Sequence, residues 1–212
     1  LEFEPVVETV LDPKKLPRVA KALMVAQSTA ELHSTVTSAI AELYDFDRVM
    51  VYQFDEDKHG HVVGEAKRDH LEPFLGLHYP ETDIPKMARD VFLQVGSRFI
   101  SAIHVDNDAL EFSQEPWPGS PYLDLTHSQL RAISPIHIEY LANMGVQATL
   151  TLSIVINGGL WGLIACHHYS PRKIRFESRA QGEIIGALLA KRISELDIRD
   201  EAIAEQNGRV IE

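Results

Sequence analysis

The chain has 212 residues, enough for one large domain with an extension, and 20 Lys and Arg against 31 Asp and Glu leave a net charge of −11. That balance repels phosphate backbones and anionic lipid, so no nucleic-acid partner and no membrane partner is expected. With 45% hydrophobic and 24% charged residues the chain should fold, and its single cysteine excludes an internal disulfide and a thiolate-only zinc site. A lone thiol also fits a reducing compartment, and a cytoplasmic location is expected.

The opening Leu1-Glu2-Phe3-Glu4-Pro5 reads as a strand cut from a preceding domain. After Asp12-Pro13, the residues Val19, Leu23 and Ala26 recur at helical spacing. Ser28-Thr29-Ala30-Glu31 is a capping box opening a second helix, whose buried face carries Leu32, Val36, Ile40 and Leu43. Residues 48–54 favour a strand, 55–60 a turn and 61–66 the returning strand. Thr82-Asp83 can cap a helix that holds Pro85 in its first turn and runs to about Gln94, before a strand over 98–103. Residues 106–124, which contain Glu115-Pro116-Trp117-Pro118-Gly119-Ser120-Pro121, suit neither helix nor strand and predict a long loop.

Ser134-Pro135 begins another helix by the same logic, and Gly145 stands where a left-handed residue ends it. The most apolar stretch, 148–166, is split at Asn157-Gly158-Gly159 into two strands too short to span a bilayer, giving a hairpin over 146–169. No basic stretch precedes an apolar one among the first residues given, so a secretory signal is not expected there. The last helix starts near Glu177 and spaces Ile185, Leu189, Leu196 and Ile203 by four, seven and seven, a seam suited to a partner helix in a homodimer. Its charged second half reads as a linker. Without regular βαβ alternation, this order predicts an α+β domain: a central antiparallel sheet flanked by helices, with a long C-terminal helix.

Strand alternation sorts the hairpin into faces. Thr149, Thr151 and Ser153 share one side of the first strand; Trp161, Leu163, Ala165 and His167 share one side of the second, and Cys166 points away from His167. A two-residue turn at Asn157-Gly158 places His167 with the leucines, whereas a three-residue Asn157-Gly158-Gly159 loop places it opposite Thr149. Chemistry favours the three-residue loop, because an imidazole among hydroxyls is satisfied and one among Leu and Ile is costly. His137, Tyr140, Leu141 and Met144 form one amphipathic helix face, the ordinary mark of a core. Arg98 and Arg131 have the fork geometry to clamp a carboxylate; surface ion pairing is the plainer use. His59-Gly60-His61 lies in a turn and Cys166-His167-His168 alternates across a strand, so no metal site is expected. The same alternation keeps Cys166 and His167 from acting as nucleophile and base, and no catalytic residue is assigned.

Three stretches together carry a resemblance: Tyr79-Pro80-Glu81-Thr82-Asp83-Ile84-Pro85; Ser134-Pro135-Ile136-His137-Ile138-Glu139-Tyr140-Leu141-Ala142-Asn143-Met144-Gly145; and Leu160-Trp161-Gly162-Leu163-Ile164-Ala165-Cys166-His167-His168. In this order they resemble the chromophore-binding GAF domain of phytochromes, in its bacteriophytochrome form. The likeness covers residues 16–197. Residues 1–15 resemble the end of a PAS domain and 198–212 a helical linker toward a PHY domain, both neighbours being expected outside this chain.

The resemblance implies a linear tetrapyrrole, biliverdin, in a cleft beside the sheet. Asp83 of Asp83-Ile84-Pro85 would meet the pyrrole nitrogens through its backbone carbonyl, and His137 would share that nitrogen and water network. Arg98 and Arg131 would bind the propionates, helped by Ser134, Thr149 and Thr151. Tyr52, Tyr79, Tyr140 and His167 would surround ring D, His167 by hydrogen bonding its carbonyl.

Ile136 stands where plant and many cyanobacterial phytochromes hold the bilin-bonding cysteine, and the bacteriophytochrome attachment site lies upstream of the PAS domain. Biliverdin is therefore expected to be held noncovalently here, with Cys166 aimed away. Glu81, Thr82 and Phe92 replace the usual Ala, Ser and Tyr, changes that bear on colour or state stability rather than on binding. The implied function is a red/far-red photoreceptor module that signals by photoisomerisation of the double bond between rings C and D. It is not itself an enzyme, and the output domain, such as a histidine kinase, lies elsewhere. The competing readings are a GAF module sensing a cyclic nucleotide-like small molecule and a bilin-free dimerisation unit.

Overall fold

Alternating apolar and polar residues, two to a pleat, build a sheet that can bury one face and leave the other for a ligand. The computed structural model describes residues 14–104, 124–129 and 131–208. Its strands β1 (Arg48–Phe54), β2 (Gly60–Lys67), β3 (His78–Tyr79), β4 (Ser97–Ile100), β5 (Ala148–Ile156) and β6 (Gly159–His168) pair antiparallel in the order β3-β2-β1-β6-β5-β4. The helices are α1 (Lys15–Val25), α2 (Thr29–Tyr44), α3 (Lys86–Gln94), α4 (Pro135–Asn143) and α5 (Phe176–Gly208), with a 3₁₀ turn at Glu81–Asp83. The expected strand at 1–5 and residues 106–123 of the expected loop lie outside the described residues.

The main core fills the space between one sheet face and α1, α2 and α5. Leu23, Leu32, Val36 and Ile40 meet Val51, Leu150, Leu152 and Ile164, with Ile185 and Leu189 closing the layer. Each such side chain contributes roughly 1.5–3 kcal/mol on full burial. The Ser28 cap forms as expected: its Oγ accepts from the Glu31 N–H, and the Glu31 carboxylate accepts from the Gln27 N–H at 2.7 Å. The stripe on α5 is buried through Leu196, but Ile203 is exposed, so the expected seam is part of this domain's own core for most of its length.

Two local expectations change. The hairpin turn is the two-residue Asn157-Gly158, both residues left-handed at φ 51° and 77°, with Ile156 paired to Gly159. Register is restored by a bulge, since Ile154 pairs with Gly162 and Val155 with Leu160, leaving Trp161 as the extra residue. His167 consequently stands opposite Thr149 as expected, though not by way of a longer loop. The same bulge turns Trp161 to the helix side, where its ring lies 6.0 Å from that of His33, rather than to the side of Leu163.

The second change concerns α3, which begins after Pro85 rather than around it. Proline biases the residue before it away from the helical region, and Ile84 sits at φ −127°, ψ 82°. Thr82 and Asp83 therefore belong to the 3₁₀ turn and do not cap α3.

Candidate functional site

Register assembles the second face of the sheet in rows. Arg48 of β1, His167 of β6 and Thr149 of β5 form the first; Met50, Ala165, Thr151 and Arg98 the second; Tyr52, Leu163 and Ser153 the third. The apolar part is a separate cluster of Met50, Tyr52, Phe54, Val62 and Leu163, against which Tyr79, Ile84 and Phe92 pack.

Specific ties hold the flanking segments to this face. Ser153 Oγ donates to the Phe92 carbonyl at 2.7 Å, fixing α3. Arg89, 9% exposed, donates to the Ile84 carbonyl at 2.7 Å and to Glu81 at 2.5 Å, which sets the 3₁₀ turn and with it Asp83, Ile84 and Pro85. Helix α4 starts with Ser134 and Pro135, although the Ser134 hydroxyl makes no cap. It ends at Gly145 in a double closure, Gly145 N–H to Ala142 and Val146 N–H to Leu141. Leu141 and Val146 are buried together beneath this end, so the helix face holding His137, Tyr140 and Leu141 is core at Leu141 and solvent-facing at His137.

The Tyr52 and Tyr79 rings lie 5.9 Å apart, and those of His137 and Tyr140 stack at 6.2 Å. Burial raises the phenols of Tyr52, Tyr79 and Tyr140, and the nearby Asp83 raises all three further, Tyr140 being pushed up to about 12. Although His137 reaches solvent, the protein packed around its ring desolvates it and lowers its proton affinity, and Arg98 lowers it further. His167 is pushed down to about 4, by burial first and then by Arg48 and His137. Its Nδ1 is buried with no hydrogen-bond partner among the described residues. Asp83 thus acts on all three tyrosines and His137 on His167, and the His137–Tyr140 stack joins the two groups.

Other expected residues stand differently. Arg98 donates to the carbonyls of Gln129 and Arg131, and Arg131 to those of Thr126 and Ser128, so both guanidinium groups brace the segment before α4. Ser134 and Pro85 are exposed, and Ile136 is 80% exposed. Cys166 is fully buried on the opposite face, where burial pushes its thiol up. Among the described residues no group of three or more His, Cys, Asp or Glu gathers around a metal position. No described helix is long and apolar enough to cross a membrane. A hollow of about 330 Å³ lined by Ala41, Asp45, Phe46 and Arg68 holds none of the site residues.

Sequence reasoning missed Arg48. Its side chain is 2% exposed, ion-paired to Glu65, hydrogen-bonded to the Glu72 carbonyl at 2.7 Å, and stacked 3.7 Å from the Phe74 ring centre. Glu65 in turn accepts from the Phe74 and Leu75 N–H groups. A signal was present in the alternation, which puts Arg48 on the same side as Met50, Tyr52 and Phe54.

Residues 28–197 match the family model described as GAF domain, and the chain belongs to that family. Within it the chain is similar to phytochromes. It is 44% identical over 167 residues to a bacteriophytochrome of Xanthomonas campestris pv. campestris (strain 8004), covering 79% of this chain and 26% of that one. It is 44% identical over 171 residues to cyanobacterial phytochrome A of Nostoc sp., covering 79% and 22%. The chain spans about a quarter of the length of these curated relatives.

Among solved structures, the chromophore-binding domain of an unusual bacteriophytochrome from R. palustris matches with a TM-score of 0.81 at 31% identity, over 88% of this chain and 61% of that one. The chromophore-binding domain of Stigmatella aurantiaca phytochrome P1 matches at 0.79 and 34% identity, over 89% and 63%. The α+β GAF fold and the phytochrome resemblance both stand.

Proposed function

We propose that this chain is the light-sensing, bilin-binding module of a bacteriophytochrome-type photoreceptor, with biliverdin as its pigment, held without a thioether bond. The observation that carries this reading is the convergence of Tyr52, Tyr79, Asp83, Tyr140, His137 and His167 on one side of the sheet. Aromatic walls with a few polar groups set among them suit a ligand whose polar groups sit in a conjugated, apolar body, as a bilin's do. When bound, the pigment supplies red absorption and isomerisation about the double bond between its C and D rings.

The chain's own residues provide the setting. Tyr52, Tyr79 and Tyr140 supply walls whose hydroxyls stay protonated at neutral pH, since all three are raised. A neutral His167 offers one donor and one acceptor, and the Asp83 carbonyl and His137 offer the polar centre. Arg98 and Arg131, beside Thr149 and Thr151, offer charge for carboxylates, and a ligand's propionates would share these arginines with the carbonyls they now hold. Cys166, walled off on the other face, supports noncovalent binding.

Residues 16–197 form the sensing domain in this reading, with the chain ends leading toward PAS and PHY neighbours. Exposed Ile198 and Ile203 on α5 support a homodimer. The reading assigns no catalytic residue and a cytoplasmic location.

The test is an absorption spectrum after biliverdin is added to the purified protein. A red band that changes on illumination is expected; its absence favours a small-molecule-sensing or purely dimerising GAF module.

A further inference from the structure

Two buried nitrogens on neighbouring strands lack a partner among the described residues: Nε of Arg48 and Nδ1 of His167. The two residues oppose each other directly across β1 and β6. Opposed residues of an antiparallel pair hold their Cβ atoms about 4.5–5.5 Å apart, so both groups share one patch of the face. The Arg48 guanidinium is not free to turn elsewhere. Glu65 takes one terminal N–H, the Glu72 carbonyl takes the other, and Phe74 stacks on the plane. Nε–H is therefore a fixed donor, since arginine keeps its proton and has no acceptor.

A neutral imidazole has one protonated and one bare nitrogen, and the partner of one decides which is which. An oxygen that accepts from Arg48 Nε–H and donates to bare Nδ1 satisfies both orphans at once, which is what a buried water with two polar neighbours does. We propose that one buried water bridges Arg48 Nε and His167 Nδ1, and that Arg48 is thereby the positioning residue that holds His167 as the Nε2–H tautomer. His167 then presents an N–H donor to the cleft. This deepens the photoreceptor reading and rests on it only for what that donor meets.

The groups around the ring favour the neutral form the bridge requires. Arg48 faces it from β1 with Glu65 of β2 behind, His137 from α4, and the uncharged Thr149 from β5; burial, Arg48 and His137 all lower its proton affinity.

The test uses ¹⁵N NMR of the histidine-labelled, pigment-free protein at pH 7, with His167→Gln to assign the signals. Wild type is expected to show a bare, hydrogen-bonded Nδ1 and a protonated Nε2. In Arg48→Met the Nδ1 resonance is expected to move to the unbonded position, and the titration midpoint to rise from about 4. A protonated Nδ1 in wild type overturns the proposal without any variant, as does an unchanged Nδ1 resonance in folded Arg48→Met. Should that variant not fold, a high-resolution crystal structure of the wild type decides: a water within reach of both nitrogens supports the bridge, and carbon-only surroundings overturn it. No pigment is involved, so failure here and failure of the biliverdin test are separate results.

Discussion

The Tyr52 ring lies over Gly60, so closely that a Cβ built on the glycine would overlap the ring carbons and the hydroxyl. Gly60 pairs with Phe54 on one side and Tyr79 on the other, which makes it the floor of an aromatic corner. Gly60→Ala is expected to displace Tyr52 and cost about 1–3 kcal/mol, the usual range for overpacking. Urea unfolding with near-ultraviolet circular dichroism checks both; unchanged stability and aromatic signal would refute the corner.

Leu152 is fully buried, and its two methyl carbons lie 3.0 and 3.1 Å from where a Cβ on Gly182 of α5 would stand. Leu152→Ala opens a void between β5 and that helix and is expected to cost about 2–5 kcal/mol in a chemical denaturation curve.

Stability should depend on pH through His167. Its folded value, about 4, lies below its ordinary 6.5, so the unfolded chain binds the proton more readily. The contribution is whole above pH 6.5, declines as the pH falls toward 4, and is flat below; between pH 7.5 and 5 the loss is roughly 2 kcal/mol. His33, also lowered by burial, acts in the same direction. His167→Gln should shrink the difference between denaturation curves at the two pH values, and an equal difference in both proteins would contradict the assignment.

Arg131→Ala is expected to weaken assembly with biliverdin by about 1.5–3 kcal/mol, the range for a hydrogen bond to a charged group. A fluorescence titration measures it. Because Arg131 also braces Thr126 and Ser128, the variant's melting curve is needed beside it. His167→Ala should keep most binding but alter the spectrum or slow photoconversion, and identical photochemistry would remove that role.

Cys166 should resist thiol reagents in the folded protein and react promptly in urea, since it is fully buried and its thiol is held protonated. After biliverdin is added, a denaturing gel stained with zinc should show no fluorescent band. A band would overturn noncovalent binding.

Local signals account for much of what was legible in the sequence. The Ser28–Glu31 cap, the Gly145 terminus and the alternation along β5 and β6 each follow from a few neighbouring residues. The bulge at Trp161 was not legible, because two features, a short turn and one extra residue, combine to give the same pairing of His167 with Thr149 as a longer loop. Arg48 was hidden for a different reason. A buried arginine depends on partners 17 to 26 residues away, Glu65, Glu72 and Phe74, and no periodicity announces them. Arg98 and Arg131 were recognised as cation carriers, but their grip on backbone carbonyls depends on how the preceding segment folds back.

Helix α5 is 33 residues long, about 50 Å at 1.5 Å per residue, and its buried stripe ends near Leu196. A rod clamped along part of its length is a lever. A tilt of a few degrees where it lies on β5 sweeps its far end through several ångströms, so a small rearrangement of the sheet is magnified mechanically at a distance from it.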